Sequence, residues 1–332
     1  MAKISVLGSG AWGIALALSA HYRENNVIIW SAFKSEVDYL NSGREHEKLL
    51  PDIKIPKDIL ITDDINAVYG SDIVIIAVPS FAVRETAARI RELKCPIVVN
   101  VAKGIENKTH KRFSMVISEE LPQAKVVVLS GPSHAEEVAR RMPTTIVAAS
   151  SNHDAALAVQ AAMTGEFLRD YTCNDVLGVE LGGALKNVIA VAAGVVDGLG
   201  NGDNTRAALI TRGLAEICRL GIKMGAEEKT LMGLSGLGDL VVTCTSPHSR
   251  NHRFGELVGR GIPIDEALKT VGTVEGYHAT AVVYEIAKDL KVEMPITEEC
   301  YAVLYLHESP NGAIEKLMNR PSKNEQIMQN AD

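Results

Sequence analysis

Directly after the apolar run 3–7 and directly before the apolar segment AWGIALALSA, the chain places Gly8, Gly10 and Gly13 as G-x-G-x-x-G. Glycines at such a junction restrict the fold more than any other feature of this sequence. Gly8 permits a tight turn, Gly10 lets backbone approach a pyrophosphate, and Gly13 lets helix and strand pack closely while the helix N-terminus faces the anion. An unliganded βα turn carries the same glycines, so the surroundings decide. Short β-branched runs follow at 27–30, 72–78, 96–102, 125–130, 144–149 and 167–171, with helix-like stretches such as 82–93 and 154–163 between them. Near-continuous apolarity fits strands buried on both faces better than the alternation of a half-exposed sheet. The expected fold is a doubly wound, Rossmann-type α/β domain with a parallel sheet, built to bind a dinucleotide.

After residue 173 the β-branched runs stop and helical spacing takes over. Ile210, Leu214 and Ile217 recur on one face, with Asn204 or Thr205 as N-cap and Gly221 or Gly225 as a stop, and Val283, Ile286 and Leu290 repeat the pattern. A length of 332 residues suits two domains. These are expected at 1–173, the dinucleotide-binding α/β domain, and at 174–332, an all-α substrate-binding and catalytic domain, with the cleft between them as the default ligand site.

Charge and cysteine usage narrow the function. With 34 basic against 41 acidic side chains the net charge is −7, which argues against nucleic-acid binding. Five scattered cysteines with no C-x-x-C pair do not make a secreted disulfide framework, so a reducing cytoplasm is expected. The apolar run between Asn187 and Asp197 has about half of the ~20 residues that cross a bilayer, so no membrane span is expected. The N-terminus imitates a secretory signal, but its glycines break the apolar stretch in two.

Several polar residues sit in apolar or glycine-rich surroundings. NAD-specific turns place an acid about 20 residues past the glycines. Here the second strand runs out through Ala32-Phe33-Lys34, so Lys34 is a candidate partner for a 2′-phosphate, and NADP(H) is expected to serve at least as well as NAD(H). Lys34 as a solvated surface lysine is an equal alternative. Lys103 follows a strand at the carboxyl edge where open α/β sheets bind ligands. Lys186 and Asn187 interrupt an apolar helix, and Asp239, Thr243, Ser249, Arg250 and Asn251 follow in quick succession. A lone lysine in an apolar helix is more often a snorkelling side chain or half of an ion pair than a catalyst. His248 and His252 lack a third ligand, so no metal site is expected. No serine-hydrolase elbow follows a strand, and Tyr301, Leu304 and Tyr305 read as core packing.

GSGAWG, VAKGIE, LSGPSHAEEV, ELGGALKNVIAVAAGVVDGLG, NTRAALITRGLAEI, GLSGLGDLVVTCTSPHSRN and VEGYHAT, taken in order, resemble the signature blocks of the NAD(P)-dependent glycerol-3-phosphate dehydrogenases of the bacterial and soluble type. The resemblance runs over residues 3–306. It implies that Lys186 donates and accepts the proton, and that Lys103, Asn187, Asp239, Thr243, Arg250 and Asn251 surround the substrate. It further implies that Gly131, Ser133 and Ala135 lie where cofactor and substrate meet, and that Ala11, Trp12, Glu275 and, besides their place at the substrate, Lys103 and Arg250 contact the cofactor. Many bacterial members carry an arginine after the second strand where this chain has Ala32-Phe33-Lys34.

The implied chemistry is coherent. Reducing dihydroxyacetone phosphate needs a hydride at the ketone carbon and a proton at its oxygen. To return that proton, a lysine must titrate below its usual range, which burial and a second cation such as Lys103 favour; Asp239 opposes the shift but orients the ammonium. Arg250 suits the phosphate through its planar fork, and Thr243 and Asn251 supply neutral hydrogen bonds. A β-hydroxyacid-type dehydrogenase would carry asparagine four residues past the lysine, where this chain has Ala190. A non-catalytic NAD(P)-binding sensor would not need Lys103, Lys186, Asp239 and Arg250 together. A homodimer and a role in phospholipid synthesis are implied by the family likeness.

Overall fold

The computed structural model describes residues 1–322, 324 and 325. These divide into two compact units, one of Met1–Glu106 with Lys111–Val176, the other of Asn107–His110 with the described residues from Leu177 onward.

The first unit holds eight strands: β1 (Lys3–Leu7), β2 (Asn26–Trp30), β3 (Leu60–Thr62), β4 (Ile73–Ile76), β5 (Ile97–Asn100), β6 (Lys125–Ser130), β7 (Thr144–Ala149) and β8 (Leu168–Cys173). Its helices are α1 (Ala11–His21), α2 (Lys34–Gly43), α3 (Val83–Arg89), α4 (Phe113–Glu120), α5 (Ala135–Ala139) and α6 (His153–Met163). The sheet order is β3-β2-β1-β4-β5-β6-β7-β8. Alternate residues of a strand point to opposite faces. Val6, Ile29, Ile75 and Val99 meet Ile14 and Leu18 of α1 on one side, while Leu7, Val74, Ile76 and Val98 meet Val83, Phe113 and Val116 on the other. Each such side chain contributes roughly 1.5–3 kcal/mol on burial, and both faces being covered is why the runs lack alternation.

The parallel expectation fails at one joint: β6 and β7 are antiparallel. Their connection carries only the five-residue α5, and Arg141 in the left-handed region turns the chain back beside β6 instead of over the sheet. The three-residue β3 is too short to show a period. The stretch 82–93 does not form one helix. Helix α3 stops at Arg89 and Arg91–Leu93 tightens to a 3₁₀ turn before the left-handed Lys94. Helix α6 begins where Asn152 caps it, its Oδ1 accepting from the Ala155 amide at 2.9 Å.

The second unit is helical: α7 (Val176–Gly198), α8 (Asp203–Lys223), α9 (Glu228–Leu231), α10 (Asp239–Thr245), α11 (Arg250–Gly259), α12 (Ile264–Val271), α13 (Glu275–Asp289), α14 (Pro295–Tyr305) and α15 (Pro310–Met318). Helix α8 is capped by Gly202, so Asn204 and Thr205 fall inside its first turn. Gly221 lies inside α8 against Leu231, and Gly225, at φ +101°, follows the C-cap residue Met224. Leu304 is buried, and Tyr284, Tyr301, Tyr305 and Tyr277 stack in sequence at 4.1, 5.0 and 4.8 Å.

Among the described residues, α7 is the one helix long and apolar enough to cross a bilayer, and 94% of its most apolar window is buried within the protein. Its apolarity is that of a core helix. Gly194 and Gly198 of α7 face Gly255 and Gly259 of α11. A Cβ at Gly194 would lie 2.0 Å from the His252 carbonyl oxygen, and one at Gly255 would lie 2.0 Å from that of Val191. The two backbones therefore touch directly, and Gly276 at the start of α13 abuts the Asn187 carbonyl of α7 in the same way.

Candidate active site

The glycine turn joins β1 to α1, beside the point where the strand order reverses between β1 and β4. Gly8 has φ +124°, and a Cβ there would lie 2.5 Å from the Ala77 carbonyl oxygen. At Gly13 a Cβ would strike the Gly8 carbonyl oxygen at 2.1 Å, whereas nothing lies within 4 Å of one built on Gly10. Gly10 is the N-cap of α1 and no side chain caps the helix. The first-turn amides, with Ala11 and Trp12 half-buried at this end, thus face an open cradle suited to a pyrophosphate.

Further along the same carboxyl edge, Lys103 Nζ and Ser133 Oγ both donate to the Gly131 carbonyl at 3.0 Å. Gly131, at φ +133°, packs so closely on Ile146 that a Cβ would come within 3.1 Å of its Cα. Ala135 opens α5 just beyond. The loop after Lys103 is clamped by Arg84, which sequence reasoning missed. Its Nε and Nη2 each reach Glu106 at 2.8 Å, and its Nη1 reaches Glu119 and Glu120 at 3.0 and 2.9 Å.

At the end of β2 the structure corrects the expectation that an acid is missing. The Lys34 ammonium is 70% exposed and pairs with Asp38 at 3.1 Å. Two residues on, the first turn of α2 carries Glu36 back over the strand end, where its Oε2 accepts from Ser9 Oγ and Ser31 Oγ, each at 2.6 Å.

In the second unit, Lys186 lies midway along α7 and is 5% exposed. Its Nζ donates to Asp239 Oδ1 at 2.8 Å and to Thr243 Oγ1 at 2.5 Å. Asp239, 1% exposed, and Thr243 sit one turn apart on α10, which follows a π-helical turn, Leu234–Gly238. Glycines seat that turn: a Cβ on Gly182 of α7 would come within 2.8 Å of the Ser235 carbonyl oxygen. The surroundings are dry. Burial pushes the neighbouring Cys244 thiol up to about 12 even though the Lys186 charge opposes the shift.

A second cluster adjoins the first through Asn187. Its Oδ1 accepts from Asn251 Nδ2 at 2.9 Å, its Nδ2 donates to Glu275 at 3.4 Å, and Asn251 Oδ1 accepts the Gly276 amide at 2.9 Å. Helices α7, α11 and α13 thereby share one directed chain of hydrogen bonds. Ser249 stands apart: its hydroxyl caps α11 by accepting from the His252 amide. Arg250, the first residue of α11, is exposed and makes no hydrogen bond or ion pair among the described residues. His252 turns to Asp197 at 2.8 Å, which also takes two bonds from Arg206, while His248 is exposed. Among the described residues no three His, Cys, Asp or Glu side chains gather as a metal site.

The chain's similarity to known proteins follows both halves of this arrangement. Residues 3–156 match the family described as NAD-dependent glycerol-3-phosphate dehydrogenase N-terminus, and residues 175–315 match its C-terminus. A glycerol-3-phosphate dehydrogenase (NAD(P)+) of Desulfitobacterium hafniense is 50% identical over 98% of this chain and 93% of its own length. One from a Thermoanaerobacter species is 51% identical over 97% and 98%. The crystal structure of glycerol-3-phosphate dehydrogenase from Coxiella burnetii superposes with a TM-score of 0.92 at 38% identity, covering 96% of this chain and 99% of that one. With the glycine turn and the lysine helix each inside a matched segment, the chain belongs to the NAD-dependent glycerol-3-phosphate dehydrogenase family.

Proposed function

We propose that the chain interconverts sn-glycerol 3-phosphate and dihydroxyacetone phosphate with NAD(P)(H), and that Lys186 donates and returns the proton at the substrate oxygen. The observation that carries this reading is a buried ammonium, in a mostly apolar helix, aimed by a carboxylate and a hydroxyl from a second helix. Bound, the nicotinamide supplies or takes the hydride. Asp239 and Thr243 hold Lys186 Nζ in one direction, so little reorganisation is needed when negative charge develops on the ketone oxygen. Arg250, exposed and unpaired, is suited to grip the phosphate bidentately, and Asn187, Asn251, Thr243 and the Ser249 turn supply neutral contacts. At the sheet edge of the first unit, Lys103, Gly131, Ser133 and Ala135 are suited to contact substrate and cofactor. Gly8, Gly10, Ala11, Trp12 and Gly13 cradle the pyrophosphate, and family likeness assigns a cofactor contact to Glu275, the first residue of α13.

Lys186→Ala is expected to lower the turnover number by about 10²–10⁴-fold, the usual worth of a positioned acid, while NADH binding is retained. Turnover within a few-fold of normal would refute the assignment. Family likeness and the unpaired cysteines support a cytoplasmic homodimer that supplies glycerol 3-phosphate for phospholipid synthesis. Sedimentation of the purified chain tests the dimer.

A further inference from the structure

We propose that Glu36 is the residue that selects the cofactor, making this chain prefer NAD(H) to NADP(H); the inference rests on the dinucleotide-binding reading above and reverses the expectation drawn from Lys34. Three residues from separate segments converge: Ser9 within the glycine turn, Ser31 just past β2, and Glu36 in the first turn of α2. Both serines are 3% exposed and both spend their hydroxyl protons on one oxygen, Glu36 Oε2. The carboxylate is thereby held at the carboxyl end of the second strand, where a fold of this kind recognises the ribose next to the adenine.

The acceptor inventory decides what such a pocket tolerates. A carboxylate accepts and does not donate. Glu36 Oε1, which among the described residues has His46 Nε2 at 3.9 Å as its one ion-pair neighbour, keeps lone pairs for the hydroxyl protons of an unmodified ribose. A 2′-phosphate would bring about two negative charges onto an acceptor, with both serine protons already turned away. The wider field points the same way. Lys34 is the single cation on this turn of α2, and its ammonium is bonded to Asp38, with Asp63 also acting on it. Two carboxylates, Asp38 and Asp63, therefore already claim the one exposed lysine that could have answered a 2′-phosphate. Juxtaposed like charges discriminate strongly against the wrong ligand.

The test uses the full-length protein with NADH and NADPH as probes. Equilibrium titration by quenching of tryptophan fluorescence needs no substrate and is run beside kcat/KM measurements on dihydroxyacetone phosphate. Wild-type protein is expected to bind NADH about tenfold or more tightly than NADPH, and Glu36→Gln to close most of that gap, chiefly by tightening NADPH. Equal or tighter NADPH binding by the wild-type protein overturns the proposal without any variant. So does a Glu36→Gln protein with an unchanged ratio, or a tenfold loss of NADPH affinity on Lys34→Ala. The expected binding ratio in a protein that turns over dihydroxyacetone phosphate with neither cofactor would uphold the selectivity and refute the dehydrogenase reading instead.

Discussion

Replacing Gly255 by alanine tests whether backbone contact between α7 and α11 sets the geometry of the lysine site. The new Cβ would lie 2.0 Å from the Val191 carbonyl oxygen, 2.9 Å from its carbon and 3.0 Å from the Val195 amide nitrogen. Ordinary contact needs about 3.5 Å, so the helices must part by more than about 1 Å. Overpacking of this kind costs typically about 1–3 kcal/mol. Because the obstacle is backbone and no rotamer relieves it, the upper end applies. Helix propensity returns about 1 kcal/mol. The net loss, about 2 kcal/mol, should lower Tm by about 4–8 °C. Function should suffer more than stability. The Asn187–Asn251 bond at 2.9 Å spans the two helices, and Arg250 begins one while Lys186 lies on the other. A misplacement near 1 Å is worth about 10²-fold in kcat/KM. Thermal melts, steady-state kinetics and NADH titration read the three quantities, with NADH affinity expected to hold because the glycine turn belongs to the other unit. Gly43→Ala, in a helix where nothing lies within 4 Å of the new Cβ, is the control and should be neutral or slightly stabilising. A Gly255→Ala protein with Tm within about 2 °C of wild type and full kcat/KM would refute the reasoning.

Two other perturbations probe charge. Arg250→Ala is expected to raise KM for dihydroxyacetone phosphate by about 10–100-fold, the worth of a charge-assisted pair, with NADH affinity little changed; an unaltered KM would remove the phosphate role. Burial pushes the Asp170 carboxyl up to about 7 from 3.8, the Ala148 and Tyr171 amides opposing the shift without hydrogen bonds of normal geometry. Its folded form thus holds a proton that the unfolded chain releases, so this stabilisation is full below about pH 4 and is lost as pH rises towards 7. Asp170→Asn should flatten part of that slope and add about 2–4 kcal/mol at pH 8, leaving the share of Glu216, which burial also raises to about 7. Urea unfolding at pH 5 and pH 8 would show it, and an unchanged slope would count against the buried-acid account.

What was legible in the sequence follows from which interactions are local. The glycine turn and seven of the eight strands could be read because each signal is complete within one segment, whereas the three-residue β3 carries too little pattern. The reversed direction of β7 could not, because a β-branched run looks alike in either orientation and only the short α5 betrays it. Lys186 stood out as a lysine in an apolar helix, but its partner Asp239 lies 53 residues away. Glu36 escaped because the rule for the ribose acid counts residues to the strand end, whereas a turn of helix returns the carboxylate there from further on. Ser249 reads as a substrate contact in the sequence, yet its hydroxyl is committed to capping a helix.

Helix α7 also bears on how the chain is made. On leaving the ribosome it offers a translocation machinery the same apolar signature as a membrane anchor. One side of its shelter is the α11 face at Gly255 and Gly259, and the chain must lengthen from Gly198 to Gly259 before that face exists. At about 5–20 residues per second this leaves that side of the apolar helix uncovered for roughly 3–12 s. The glycine pairs that make the finished core tight therefore leave the nascent protein dependent, for those seconds, on whatever in the cell shields apolar helices.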